Sequence, residues 1–242
     1  MKPDSSVVSV VLVGAFAPSK FLLPALAEAE VLSASDLATA SYELLVRDQA
    51  VHIILPWGSI QVINERFTIE VAQAPYVRAA DIILKCMREV ATGSVVRQMG
   101  INLKSEYVYR NPASRDLLGR RLMPAVAWGA WGKEVAKSQE LPATDPMHGG
   151  LTCAVLRQQK REDAGIEGHI DARVDAAKPT NAGWGVFVSI NDHYQASASA
   201  SGGGYKASDA VATAALLDKF AEAFDSSVAQ SMTIADGIIA GE

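Results

Sequence analysis

Ionisable side chains crowd one short stretch of this sequence. From Gly165 to Asp175 ("GIEGHIDARVD"), Glu167, His169, Asp171, Arg173 and Asp175 occupy one parity, and Ile166, Ile170, Ala172 and Val174 the other. Such alternation marks a half-buried strand, because successive side chains point to opposite faces. A second run, "VSINDHYQ" from Val188 to Gln195, carries a serine, an asparagine, an aspartate and a histidine. If the two pair as a hairpin with their apolar faces in register, Ile170 opposes Ile190 and Val174 opposes Val186. That register sets Glu167 opposite His193, His169 opposite Asn191 and Asp171 opposite Ser189. Glu167, His169, Asn191 and His193 are therefore the candidate ligand-binding residues, since imidazole and carboxylate are usual partners of a divalent ion and cross-strand neighbours approach closely. No particular metal is specified and no catalytic residue is assigned. The competing reading, which the absence of any motif spacing favours, is a solvated sheet face of interleaved charges with Asp192 capping a strand end.

Other residues with chemical potential are better explained as structure. "SGGGYKAS" before the last helix offers backbone N–H groups to an anion, but it lacks the glycine-lysine-serine spacing of a phosphate loop and reads as a flexible connection. "RQQKRED", Arg157 to Asp163, reads as a solubilising hairpin tip. Trp57, Trp128, Trp131 and Trp184 each adjoin a glycine. They are expected in the core, with an aromatic ligand pocket as the alternative. His52 reads as a hydrogen-bonded sheet residue. Cys86 and Cys153, with no paired spacing, fit buried reduced thiols rather than a disulfide or zinc site, and no cofactor is implied.

The elements that must hold these residues follow a repeated order. "VVSVVLVGAFA" is valine-rich and preceded by a leader with one lysine offset by an aspartate, so it reads as a buried first strand rather than a secretion signal. A short helix is expected from Ser19, and strands "YELLVR", "VHIIL", "SIQVIN" and "RFTIEVA" form an antiparallel meander. A helix from Pro75 to Thr92 follows, with Val77, Ala80, Ile83, Leu84, Met87 and Val90 as its apolar stripe. "VRQMGINLKSEYVY" is a long half-exposed strand, and "NPASRDLLGRRLMP" a short helix. "AVAWGAWGKEV" is ambiguous between strand and loop, and Lys137 to Gly150 is the candidate mobile connection. Three strands then lead to a helix from Ser208 to about Gly237, with Leu217, Phe220, Ala221, Phe224 and Val228 on its buried stripe. The fold expected is α+β: a largely antiparallel sheet in two similar strand-then-helix halves, about 1–110 and 111–242, with helices packed on one face of a single unit. Two sheets are preferred over one continuous sheet.

Composition bounds the function. With 242 residues, 49% of them hydrophobic, and a net charge of −5, the chain can build a core but presents no basic footprint for a phosphate backbone. Neither nucleic acid nor membrane is an expected partner, and a reducing cytoplasm is the expected compartment. "LVGAFAPSKFLLP", "GIN" at Gly100 to Asn102 and "VSINDHYQ" together resemble segments of a sporadically distributed family of uncharacterised bacterial proteins, although Ala17 stands where that family has an asparagine. The resemblance implies a bacterial protein with no established activity. The expected function is a non-enzymatic binding or assembly module working through protein contacts, by an exposed strand edge or by self-association of the last helix through Met232, Ile234, Ile238 and Ile239. An enzyme or ligand-binding protein using the Glu167, His169, Asn191 and His193 face is the alternative.

Overall fold

The computed structural model describes residues 1–143, 145, 147–160, 162–180, 183–197 and 205–241. The fold is α+β, with nine strands in one antiparallel sheet. The strands are β1 (Ser5–Ala15), β2 (Ser41–Val46), β3 (Ala50–Leu55), β4 (Gly58–Ile63), β5 (Arg66–Val71), β6 (Val95–Tyr109), β7 (Cys153–Gln159), β8 (Ile166–Thr180) and β9 (Gly183–Ala196). Their order across the sheet is β2-β3-β4-β5-β1-β6-β9-β8-β7. The preference for two sheets is thus corrected to one. The joint is β6, whose 15 residues offer two long edges, one covered by β1 and the other by β9.

One face of this sheet is the core. Rows of apolar residues cross it in register: Ile53, Ile60, Ile69, Val10 and Ile101 form one, and Val51, Val62, Phe67, Leu12 and Met99 the next. All ten are almost wholly buried. All valines and isoleucines in these rows are β-branched and suit the pleat. The helices cover this face. Near the start a 3-10 turn (Pro18–Phe21) leads into α1 (Leu23–Glu28), where Pro24 is tolerated at the first turn. A further helix, α2 (Ala34–Thr39), was not foreseen, although Ser33 and Asp36 form a reciprocal capping box that is legible as serine followed three residues later by an acid.

The helix foreseen at Pro75 to Thr92 is shorter, α3 (Arg78–Lys85), and continues as a π turn at Cys86–Val90. Its buried side is Ala79, Ala80, Ile82, Ile83, Cys86 and Met87, whereas Val77 is exposed. The ambiguous tryptophan segment is helical: α4 (Pro112–Leu122) is followed by a 3-10 turn (Ala125–Trp128) and α5 (Gly129–Ser138). Gly132 permits this, because a Cβ there would sit 2.0 Å from the Ala125 carbonyl oxygen. The last helix, α6 (Tyr205–Ala240), begins before the foreseen cap at Ser208, whose side chain lies outside the described residues. It packs on β6, β9 and β8 and touches α3. Its buried stripe is Leu216, Phe220, Ala223, Phe224, Ser227, Val228, Ser231, Ala235 and Ile239; Leu217 is half-buried and Ala221 exposed. No described helix is long and apolar enough to cross a membrane.

Candidate functional site

The polar face foreseen on β8 and β9 exists, with a register two residues away from the expected one. His169 opposes His193, Glu167 opposes Gln195, Asp171 opposes Asn191, and Val174 opposes Val188. A shift of two keeps every side chain on its face, so the alternation holds while the cross-strand partners differ. The core-face pairing of Ile170 with Ile190 fails because Ile170 faces Asp192 instead.

The structure brings His169 and His193 together as stacked rings, 4.7 Å between centroids and 30° between planes. Glu167 accepts a hydrogen bond from Gln195 Nε2 at 3.1 Å. Asp171 is held by both ends of the Arg157 guanidinium at 2.7 Å, and this pair keeps its carboxyl below the usual range. Asn191 lies between Asp171 and Asn102 across the ladder. Burial, and then the charge of His169, push the His193 imidazole below its usual value. Stacked imidazoles direct their in-plane nitrogens side by side rather than toward one point. Among the described residues no three His, Cys, Asp or Glu side chains converge as metal ligands do.

Asp192 is not a strand-end cap. It sits on the core face in the isoleucine row, only 2% exposed. Its Oδ1 meets Lys160 Nζ at 2.5 Å, its Oδ2 accepts from the Tyr194 hydroxyl at 2.9 Å, and Lys160 also donates to that hydroxyl at 2.9 Å. Lys160, expected on a solubilising tip, reaches inward over Gly168: a Cβ on Gly168 would lie 3.3 Å from the Lys160 Cδ. Arg161 of the same tip lies outside the described residues, as do residues 201–204 of the glycine-rich stretch. The triad opens on a groove of about 310 Å³ lined by Asp163, Ile166, Lys219, Glu222 and Ser226. There Lys219 pairs with both Asp163 and Glu222.

The tryptophans divide. Trp57 is buried, its indole N–H donating to Asp36 at 2.8 Å, and Arg115 stacks on half-buried Trp184 at 4.6 Å. Trp128 and Trp131 are not core: Trp131 is 64% exposed, and the two rings meet edge to face at 5.6 Å. They line a cleft of about 190 Å³ with Arg120, Met123, Val135, Leu151 and Cys153. Burial, with a hydrogen bond to Asp175, keeps the Cys153 thiol above its usual pKa, and Cys86 is pushed up to about 12 by burial, so neither is an activated thiolate. His52 bonds to Glu43 at 2.7 Å as a sheet residue. The connection before β7 is pinned by half-buried His148, which contacts the Leu141 carbonyl at 3.0 Å and Asp116 at 3.2 Å.

The cleft ends at β7, one outer strand of the sheet. Lys160 N–H donates to Gly168 and Ala176 N–H to Thr152, so the even residues of β7 face β8. By the two-residue period of an antiparallel ladder, the backbone groups of Val155, Arg157 and Gln159 point away from the sheet. The β7–β8 register is unbroken over all seven residues, and Leu156 is 77% exposed. β2, the opposite edge, carries a register shift between Tyr42 and Leu44 that blunts it. No protein-family model matches this chain, and no curated protein matches it.

Proposed function

We propose that this chain is a non-enzymatic binding module that takes an extended segment of a partner protein by strand addition along β7. The carrying observation is the outward row of backbone donors and acceptors at Val155, Arg157 and Gln159, flanked by exposed Leu156 and closed at one end by the Trp128 and Trp131 cleft. Strand addition draws affinity from main-chain hydrogen bonds and specificity from adjacent side-chain pockets. β7 lacks the usual defences of a free edge: it has no proline and no bulge, and its only charge, Arg157, is already paired with Asp171. Free cysteines and the absence of activated nucleophiles among the described residues support a binding role in a reducing cytoplasm.

Peptides selected from a random library on the full chain test this. Bound peptide should slow hydrogen exchange at the Val155 and Arg157 amides. Val155→Pro should abolish binding with little change in the unfolding midpoint, because the lost N–H bonds nothing among the described residues. Selected peptides that leave exchange along β7 unchanged would sink the proposal.

A further inference from the structure

All pairs in the sheet are antiparallel. A strand that continues this pattern on β7 runs from Gln159 toward Cys153 and delivers its C-terminal end to the cleft. At about 190 Å³, the cleft is smaller than the roughly 300 to 1,000 Å³ of a pocket for a drug-sized ligand. It accommodates one side chain. Its walls are aromatic and aliphatic, and Arg120 is the single charged residue of the lining.

The neighbours of Arg120 on α4 are both engaged. Arg115 binds Asp116, and Arg121 donates to the carbonyls of Ile238, Ile239 and Ala240 at the end of α6. Arg120 is exposed and has no ion pair or hydrogen bond among the described residues. A planar guanidinium without a partner, beside an apolar slot and with no acidic group in the lining, complements a carboxylate attached to a bulky apolar residue.

We infer that the recognised segment is a chain terminus: its last residue is large and apolar and fills the Trp128 and Trp131 cleft, and its free α-carboxylate binds Arg120. This rests on strand addition at β7. Peptides selected from a random library displayed with free C-termini are synthesised as acids and as amides. Their Kd is measured on the full chain, on Arg120→Gln and on Val155→Pro. The selected peptides should end in an apolar residue, and amidation should weaken binding about tenfold, the loss of one charge-assisted hydrogen bond. Arg120→Gln should bind acid and amide alike, and Val155→Pro neither.

Equal affinity of acid and amide for the unaltered chain, with the β7 amides still protected, overturns the terminus and leaves strand addition standing. Binding that survives Val155→Pro overturns strand addition itself. Selection of no peptide overturns both.

Discussion

Burial and the adjacent His169 hold the His193 imidazole below its usual value of 6.5, so the unfolded chain takes up a proton there more readily than the folded one. Between the lowered value and 6.5 the unfolded state binds more protons, and stability rises with pH across that window and is lost as pH falls through it. Thermal midpoints measured from about pH 7.5 down to pH 5.5 should fall less steeply for His193→Gln than for the unaltered chain. The Asp171 contribution is separable: its carboxyl is lowered from 3.8 by Arg157, so that stability is present above this value and is lost only in acid. A second residue-level test concerns Asp192. Lys160→Met leaves a buried carboxylate with Tyr194 alone and should cost about 3 kcal/mol in urea unfolding, much of it recovered by adding Asp192→Leu. Neither His193 stacking on His169 nor the Lys160 reach to Asp192 was legible in the sequence. Both depend on a register that apolar matching placed two residues away, because Ile170 accepts Asp192 as its opposite only when Lys160 neutralises it.

At the scale of elements, the strands and the short helices α1 and α4 are legible in the sequence, whereas α2 and α5 are not. Alternation in β8, and in β3 to β5 of the meander, follows from a period of two that one buried face imposes, whereas β2 is exposed along its whole length. α5 leaves no clear helical signal in the sequence because its apolar residues, Trp131, Val135 and Ala136, line a cleft rather than a core, so the 3.6-residue stripe is incomplete. α6 shows the reverse case. Its stripe is plain, but its centre shifts from Leu217 to Leu216, which changes the residue that meets the sheet. Phe220 and Phe224, 5.6 Å apart, are common to both readings.

The whole molecule decides what the end of α6 does. Ala235 and Ile239 are buried in their own chain, Ile234 and Ile238 are half-buried, and the Arg121 guanidinium caps the helix. Only Met232 of the four residues expected at a dimer contact is exposed. Removal of residues 233–242 should therefore cost about 2 to 4 kcal/mol through loss of the Ile239 packing and the cap, and leave the molecular size seen by light scattering unchanged. A truncated chain of unaltered stability but smaller assembly would instead put the contact at this helix.

Taken alone, the sequence determined the class, the alternating faces and the antiparallel meander, because these depend on periodicity within a short window. It also placed Glu167, His169, Asn191 and His193 on one face. Only the tertiary structure decided that β6 joins the two halves into a single sheet and that Asp192 is buried. It also decided that Trp128 and Trp131 stand beside β7, an outer strand of the sheet. Each of these pairs groups distant in the chain, and local pattern carries no information about which of several compatible edges a strand will meet.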